Sequence, residues 1–578
     1  MAEHDLVIRG GTVVDGTGAP ERTADVAIDG DRIAAVGRVS GTGHREITAD
    51  GALVAPGWVD IHAHYDGQAT WDDQMAPSSW HGVTTVVMGN CGVGFAPVHD
   101  HDRDRLIELM EGVEDIPGAA LHEGLSWEWH TFADYLDVLD ARPRDIDVGA
   151  QVPHGAVRLH VMGERGAARE PATPTEIAEM AEIVRAGVEA GGLGFTTSRT
   201  LNHRSSRGEP TPTLTAAVDE LAGIAAALGA AGKGVLQVVS DFKDLDDEFA
   251  TMRRMVAESG RHLSISVAQS PVVPDQYRLL LDRITEANAE GLPMTAQVAT
   301  RAIGLLFGLQ CTLNPFMTAP AYKEIRDRPL AERVAIMRDP AFRRRVLDEI
   351  GDTQRGVIGG RLIHKFHLMY LLGDPPDYEP EPSTCATAVA EREGRTAAEV
   401  VYDWVLDDDG RAFVYMPSLN YVDGDLRSVR EMLLHPHTVP GLGDGGAHVG
   451  TISDGSFPTT LLAHWGRDRT RGERLEVPFI VKSHAADTAR RIGLLDRGVL
   501  APGYKADVNV IDFERLKVRA PVMTPDLPAG GNRLLQRADG YLHTICSGVE
   551  TYHDGDATGA LPGRLVRGAQ PAPSTAVG

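Results

Sequence analysis

Short apolar runs alternate with helical patterns through the middle of this 578-residue chain. The runs are rich in Val, Ile and Thr, which favours strands, and they are too short for buried helices. Their segments are WVDIHAH (58–64), VTTVVMG (83–89), IDVGAQV (146–152), GLGFTTS (192–198), GVLQVVS (234–240), LSISVAQ (263–269), LPMTAQV (292–298) and TVPGLGD (438–444). Eight strand–helix units of this kind predict an α/β fold, a closed (β/α)8 TIM barrel.

The connection between the seventh and eighth predicted strands is unusually long. It spans about 140 residues, far beyond the common connection length in a compact domain. Helical patterns such as STCATAVAEREGRTAAEVVYDWVL fall within it. We therefore predict a helical insertion at about 302–420, and the sequence leaves open whether it acts as a lid.

The two ends of the chain share a style of short strands and turns. DLVIRGGTVVDG and ADVAIDGDRIAAVG lie near the start, and ADVNVIDFERL and HTICSGVETYHDG lie near the end. Pieces of this size are too small to be stable alone. We predict that residues 1–55 and 494–578 form one small β-sandwich domain beside a catalytic barrel of residues 56–493.

Composition excludes several classes of partner. The net charge is −26, from 82 acidic against 56 basic residues, without the basic stripe that nucleic acids need. The most apolar stretch, around residues 221–232, is too short to cross a bilayer, so no membrane partner is expected. The four cysteines form no CxxC pair, and the first residues, MAEHDLVIRGG, are not a signal peptide. We expect a cytoplasmic protein that acts on a small molecule, and the composition is compatible with a homo-oligomer.

The HAH sequence at 62–64 closes the first predicted strand. Residues i and i+2 of a strand point to the same side, so His62 and His64 are expected to face the mouth of the barrel, where catalytic groups collect. Two imidazoles at this spacing can bind one divalent metal ion. The alternative is a pair of ordinary polar residues at a strand end.

Three further residues are expected at the same mouth. Cys91 follows the second strand, where a thiolate would bind Zn²⁺ well, although many free cysteines are simply small buried residues. Asp444 follows the eighth strand within GDGGAH, where a carboxylate can bind metal and accept a proton, and where DG is also a common turn. His448 lies four residues further on and is expected to hold substrate.

Taken together, these segments resemble the amidohydrolase superfamily over nearly the whole chain. The resemblance is carried by APGWVDIHAH, HGVTTVV, GDGGAH and the closing GYKADVNVID. NCG after the second strand, VPHGAVR and LHVMGERG are similar to the N-acyl-D-amino-acid deacylase (D-aminoacylase) branch. The resemblance implies a metal centre at His62, His64, Cys91 and Asp444, with Asp444 as the catalytic acid and base. It implies one Zn²⁺ ion as cofactor, and it matches His154 to a histidine after the third strand.

The sequence departs from this family at strands five and six. The family usually places a metal-binding histidine at the end of each, whereas this chain supplies Gln237 and Gln269. His262 precedes its strand and is expected at the opposite face of the barrel. An amide oxygen is a poorer zinc ligand than imidazole, so weaker metal retention is predicted. We assign His154, His448, Gln237 and Gln269 to substrate binding.

The function that these residues predict is metal-dependent hydrolysis of an amide C–N bond, most simply the deacylation of an N-acyl-D-amino acid. One alternative is a cyclic amide or imide hydrolase of the same superfamily, because loops rather than the fold decide the substrate. A second alternative is a metal-free barrel that binds a small molecule without hydrolysing it. Metal analysis separates the second alternative from the first two.

Overall fold

The computed structural model of the protein describes residues 2–350 and 362–574. Five strands precede the central domain: β1 (His4–Val13), β2 (Arg22–Asp29), β3 (Arg32–Gly37), β4 (Gly43–Thr48) and β5 (Leu53–Pro56). The central strands are β6 (Trp58–Asp60), β7 (Val83–Met88), β8 (Asp147–Ala150), β9 (Val152–Pro153), β10 (Gly194–Arg199), β11 (Val235–Ser240), β12 (Leu263–Val267) and β13 (Met294–Val298). Next come β14 (Ile303–Phe307), β15 (Tyr370–Leu371), β16 (Val414–Leu419) and β17 (Thr438–Pro440). The last strands are β18 (Val508–Ile511), β19 (Lys517–Val518), β20 (Val522–Leu527), β21 (Gly531–Leu535), β22 (Ala538–Asp539), β23 (Tyr541–Cys546), β24 (Val549–His553) and β25 (Asp556–Ala557).

Helices surround and follow the central strands. Those before the long connection are α1 (Arg103–Glu114), α2 (Gly118–Gly124), α3 (Phe132–Asp140), α4 (His154–Met162), α5 (Glu164–Ala167), α6 (Pro174–Glu189), α7 (Val218–Ala231), α8 (Leu245–Ser259) and α9 (Gln276–Ala289). The connection carries α10 (Pro320–Lys323), α11 (Leu330–Met337), α12 (Pro340–Asp348), α13 (Ala386–Glu393), α14 (Ala397–Trp404), α15 (Asp407–Gly410) and α16 (Arg427–Leu434). Then follow α17 (Phe457–Thr460), α18 (Val477–Val481) and α19 (Thr488–Arg491). Within the described ranges, no helix has the length and apolar run that a membrane crossing requires.

The central strands pair in parallel with their neighbours in sequence. One sheet runs β6-β7-β8 and another runs β9-β10-β11-β12-β13-β17. Only Gln151 separates β8 from β9, and Ala63 and Gly445 form a parallel bridge between the segments that follow β6 and β17. Each of the eight segments predicted to be strands overlaps one of these strands. Their apolar runs are largely buried, as strands of a parallel sheet covered on both faces require.

Helix α6 illustrates how local sequence sets the boundaries of the central helices. Thr173 accepts a hydrogen bond from the backbone N–H of Glu176, and the Glu176 side chain accepts one from the backbone of Thr173. Pro174 occupies the first turn, where its missing N–H costs nothing. These two local signals therefore set the start of α6.

The long connection forms a unit with its own apolar core. Phe307, Phe316, Tyr402 and Met416 belong to a cluster of buried side chains separate from the main one. The prediction of a purely helical insertion was incomplete, because β14, β16 and β15 form a small antiparallel sheet within it. Short apolar runs such as GLLFGL do not show from periodicity alone whether they are strand or helix.

Strands from both ends of the chain are neighbours in one sheet. Its order is β25-β24-β23-β18-β5-β1-β2-β3, with β4 paired to β1. The joint is the antiparallel pairing of β5 with β18, in which Leu53 lies opposite Ile511 and Pro56 opposite Val508. Buried apolar residues on these strands form a third cluster, which includes Val26 and Val510.

The last described residues are held against the central domain. The N–H of Val566 donates to the carbonyl oxygen of Val148 at 2.7 Å, and that of Gly568 donates to Gly191 at 2.7 Å. Sequence patterns gave no sign of this segment because backbone hydrogen bonds, rather than apolar side chains, hold most of it.

Buried charges join the central strands to the segment before β18. Asp147 on β8 lies 2.8 Å from Arg497 Nη1 and 3.0 Å from Lys505 Nζ, through its Oδ2 atom. Lys505 also contacts Asp507 at 2.8 Å. Burial raises the pKa of Asp147, but the opposing effect of the two cations is larger, and the net pKa is lowered to about 2. The carboxylate is therefore ionised, and removing it would leave buried positive charge without full compensation.

We expect Asp147→Asn to destabilise the protein. Breaking a buried ion pair costs about 3–5 kcal/mol, and the remaining contact of Lys505 with Asp507 places the loss near the lower end. The measurement is the midpoint of chemical unfolding at neutral pH. Because the pKa is about 2 in the folded chain and about 3.9 when unfolded, the carboxylate stabilises the fold above pH ~4. Its contribution is lost as the pH falls through 2.

The matched control is Glu189→Gln, which removes the carboxylate of an exposed pair with Arg185 on α6. Exposed pairs contribute little, so the control should unfold like the unaltered protein. Equal midpoints for the two variants would show that Asp147 does not stabilise this junction.

Candidate metal centre

His62 and His64 lie directly after β6, and Asp444 lies shortly after β17. The N–H of Asp444 donates to the carbonyl oxygen of His62 at 3.0 Å, and the N–H of His64 donates to Gly445 at 2.7 Å. This pairing brings Asp444 Oδ1 to 3.3 Å from His62 Nε2 and 3.5 Å from His64 Nε2. The two imidazoles and the carboxylate therefore meet at the carboxyl ends of the parallel strands.

Cys91 reaches the same point from a tight turn after β7. Its backbone is left-handed, with a φ of 56°, within the short 3-10 turn Asn90–Gly92. The Asn90 side chain donates to the carbonyl oxygens of Ala63 and Val87, which ties this turn to the HAH segment. Cys91 Sγ lies 3.4 Å from His62 Nε2. The turn thus aims the sulfur at the histidines and away from the strand core.

Two glutamines surround the other nitrogen of His62. Gln297 Oε1 lies 2.7 Å and Gln237 Nε2 lies 3.0 Å from His62 Nδ1. A ring nitrogen carries either one proton or one lone pair, and a proton on Nδ1 donates to Gln297. That tautomer leaves a lone pair on Nε2, facing Cys91 and Asp444. Burial, the largest influence, lowers the pKa of His62 to about 4, so the ring is neutral at physiological pH.

The Glu114 carboxylate lies beside the other nitrogen of His64. This residue ends α1, is buried, and places Oε1 3.3 Å from His64 Nδ1 and Oε2 3.5 Å from His448 Nε2. Burial lowers the pKa of His64, but the charge of Glu114 and the hydrogen bond to Asp444 raise it well above its usual value. A carboxylate behind an imidazole is the common way in which proteins orient a metal-binding histidine.

Asp444 itself is held as a carboxylate. Burial raises its pKa, but the hydrogen bond from His64 and the charge of that ring outweigh burial, so the net pKa is below the usual range. Its φ is 46°, a left-handed conformation that Asp and Asn tolerate better than most residues.

The donor set fits a divalent transition metal. One ligand atom from each of His62, His64 and Cys91 lies within 4.8 Å of the others, and all three side chains are buried. Bond lengths of 2.0–2.3 Å in a tetrahedral zinc site imply ligand-to-ligand distances of about 3.3–3.7 Å. The separations of His62 Nε2 from Cys91 Sγ, 3.4 Å, and from Asp444 Oδ1, 3.3 Å, lie in or close to that range. Imidazole, thiolate and carboxylate are also the ligand types that zinc prefers.

Two residues that we assigned to substrate binding make their hydrogen bonds to other parts of the chain. His154 is fully buried at the start of α4, and its nitrogens contact Thr197 Oγ1 at 2.8 Å and Glu220 Oε1 at 2.9 Å. Gln269 contacts Asp423 through Nε2 at 3.1 Å and Ser428 through Oε1 at 3.0 Å. These partners satisfy both side chains, and the substrate-binding role of each residue stays a prediction.

The structure adds residues that sequence reasoning missed. Gln297 and Glu114 contact the two histidines directly, and His203, after β10, lies close enough for its pKa to respond to His448 and His64. A usable signal existed for Gln297, since a polar amide near the end of an otherwise apolar strand is unusual. Glu114 gave none, because it looks like any acid on an amphipathic helix.

The profile of the amidohydrolase family matches residues 45–358 and 375–552. The chain therefore belongs to the amidohydrolase family.

The chain is also similar to two individual relatives and to one solved structure. The D-aminoacylase of Alcaligenes xylosoxydans xylosoxydans is 26% identical over 97% of both chains. The N-acyl-D-glutamate deacylase of the same organism is 28% identical over 97% of this chain and 96% of its own. The solved structure is the N-acyl-D-glutamate deacylase of Bordetella bronchiseptica, complexed with zinc and a phosphonate inhibitor. It shares the fold, with a TM-score of 0.63 and 22% identity over 98% of this chain and 99% of that one.

We expect Glu114→Gln to weaken metal binding by about 10–100-fold, the usual effect of altering a partner behind a metal-binding histidine. The amide keeps the size of the side chain but removes the negative charge that favours a cation beside His64. The measurement is a zinc competition titration against a chelator of known affinity.

The control is Asp104→Asn, which removes a carboxylate from the exposed side of the same helix. Its metal affinity should equal that of the unaltered protein. Unchanged affinity in Glu114→Gln would mean that Glu114 only packs beneath the site.

Proposed function

We propose that this protein is a metal-dependent hydrolase that removes the acyl group from an N-acyl amino acid, most simply of the D series. The observation that carries the proposal is the convergence of His62, His64, Cys91 and Asp444 at the carboxyl ends of the central strands. The full-length similarity to D-aminoacylase and N-acyl-D-glutamate deacylase supports the acyl amino acid as substrate class.

The architecture that we propose is a closed (β/α)8 barrel, with a β-sandwich domain from both chain ends and an insertion between the seventh and eighth strands. The parallel pairing of consecutive strands and the bridge between Ala63 and Gly445 support closure. The pairing of β5 with β18 supports a domain built from both termini. The catalytic groups then lie at the carboxyl-terminal mouth, as in other barrels of this type.

We propose a single Zn²⁺ ion as the cofactor. His62, His64 and Cys91 would hold it, with Asp444 beside them. Strand β11 presents Gln237 where the deacylase family usually supplies a histidine. Because an amide is a weak zinc ligand, a second ion at this position is disfavoured.

Asp444 is the group that moves protons in this mechanism. A bound zinc ion supplies Lewis acidity for the amide carbonyl and lowers the pKa of water. Asp444 Oδ1 faces the two histidines, and we assign proton transfer to the other oxygen of the carboxylate. It accepts a proton from the attacking water and donates that proton to the leaving nitrogen, because an amine leaves poorly until it is protonated.

His448 and Gln237 are the substrate contacts that we propose. His448 follows Asp444 in the same Gly-rich turn, with 24% of its side chain exposed, so one edge of the ring remains available. Its contact with Glu114 orients the ring. Gln237 lies between Cys91 and His62, close enough for its amide to hold a polar substrate atom.

We expect Asp444→Asn to lower kcat by at least about 10²–10⁴-fold, the usual contribution of a general acid and base. The amide cannot accept the proton, and Asn tolerates the left-handed backbone at this position, so the fold should be retained. The measurements are kcat on N-acyl-D-amino acids and the melting temperature of the same preparation.

Asp408→Asn is the matched control. Asp408 has a φ of 48°, is exposed, and lies in the insertion, so the same substitution tests the same backbone conformation away from the site. Its turnover should be unchanged. Near-native turnover in Asp444→Asn would assign proton transfer to another residue.

Removal of the metal should abolish hydrolysis. Lewis-acid catalysis contributes several kcal/mol, so a chelator should reduce the rate by at least about 100-fold, and stoichiometric Zn²⁺ should restore it. The measurement combines elemental analysis with release of free amine from N-acetyl-D-amino acids. Activity without metal would contradict the proposed centre. Metal-dependent opening of a cyclic amide, with no free amine from acyl amino acids, would favour a cyclic amidase instead.

A further inference from the structure

A second cluster of metal-binding side chains lies at the edge of the terminal sheet. His543 on β23 and His553 on β24 are directly opposite in the antiparallel register. Glu550, on β24, lies three residues before His553, and its side chain reaches both histidines. Opposed residues of a strand pair project from the same face, which brings the two histidines together. A shift in the strand register between Tyr552 and Glu550 lets Glu550 join them on that face.

The ligand atoms of the cluster point at one another. His543 Nδ1 and His553 Nδ1 are 3.2 Å apart, and Glu550 Oε1 lies 2.5 Å from the first and 3.0 Å from the second. Two imidazole nitrogens bound to one tetrahedral ion at 2.0–2.1 Å are separated by about 3.3 Å. The nitrogen separation therefore already suits a shared ion, and a small outward shift of the carboxylate makes room for it.

We propose that His543, Glu550 and His553 bind a divalent transition metal ion, Zn²⁺ or a stronger-binding ion such as Cu²⁺. Two imidazoles and one carboxylate are ligand types that zinc and copper accept, whereas Mg²⁺ and Ca²⁺ require mainly oxygen ligands. The fourth position is open to water, because 55% of the His553 side chain is exposed. This site contains no sulfur, unlike the centre at Cys91.

Neighbouring charges shape the cluster. Arg45 on β4 contacts the second oxygen, Oε2, of Glu550, which fixes the carboxylate and leaves Oε1 for an ion. The same guanidinium charge opposes a cation, so we expect weaker binding than at a site with a free carboxylate. Asp554 Oδ2 lies 3.7 Å from His553 Nε2 and favours the tautomer whose Nδ1 lone pair faces the ion.

An ion at this position would cross-link β23 and β24. The two strands are near one edge of the sheet, with only β25 beyond them. Binding to the folded chain stabilises it by an amount that grows with the logarithm of the free ion concentration, so the site would raise the melting temperature of the terminal domain without contributing to hydrolysis.

The test is cobalt titration of the full-length protein, prepared without an affinity tag of histidines. We expect two Co²⁺ ions per chain. Only the ion at Cys91 should give a sulfur-to-cobalt charge-transfer band, so the two sites can be counted separately. His553→Gln should lose the ion that lacks this band while retaining the other ion and the hydrolytic rate.

His122→Gln, a substitution at an exposed histidine on α2, is the control and should still bind both ions. Glu550→Gln provides a second variant in case His553→Gln does not fold, as judged by circular dichroism. The proposal would be overturned if the folded His553→Gln or Glu550→Gln protein still bound the ion that lacks the sulfur band. It would also be overturned if the unaltered protein bound no such ion.

Discussion

The short parallel pairing between residues 62–64 and 444–445 is the contact on which the candidate site depends. Two backbone hydrogen bonds, from Asp444 to His62 and from His64 to Gly445, fix the last central strand against the first. These residues lie more than 370 positions apart in the chain. Without this register, the carboxylate and the two imidazoles would belong to separate loops. The chemistry of the site is therefore a consequence of how these two segments pair.

Around that contact, a different kind of group lies beside the Nδ1 atom of each histidine. His62 has neutral amides at Nδ1, from Gln297 and Gln237, whereas His64 has the carboxylate of Glu114. A neutral partner fixes a tautomer without adding charge, and an anionic partner also strengthens the electron donation of the ring. The two imidazoles therefore differ in character although the sequence presents them as equivalent members of HAH.

Much of this was readable from sequence because strand periodicity and i, i+2 spacing are local properties. The eight central strands, the facing pair His62 and His64, and the approach of Cys91 follow from such local patterns. Gln297 and Glu114 depend instead on how remote segments meet. The sequence likewise gave no sign of the buried contact between His154 and Glu220 on α7. The antiparallel sheet of the insertion escaped prediction because an apolar run such as 303–307 does not show from periodicity alone whether it is strand or helix.

The pairing of β5 with β18 has a consequence for the synthesis of the chain on the ribosome. Leu53 meets Ile511, a partner more than 450 residues later in the chain. At a synthesis rate of about 5–20 residues per second, the amino-terminal strands wait roughly 20–90 s before that partner emerges. During this interval the edge of β5 is an unpaired strand, the kind of surface on which chains aggregate. The sheet of the nascent chain therefore stays open until the carboxyl-terminal strands pair with it. We expect nascent chains to need a chaperone most at the edge of β5.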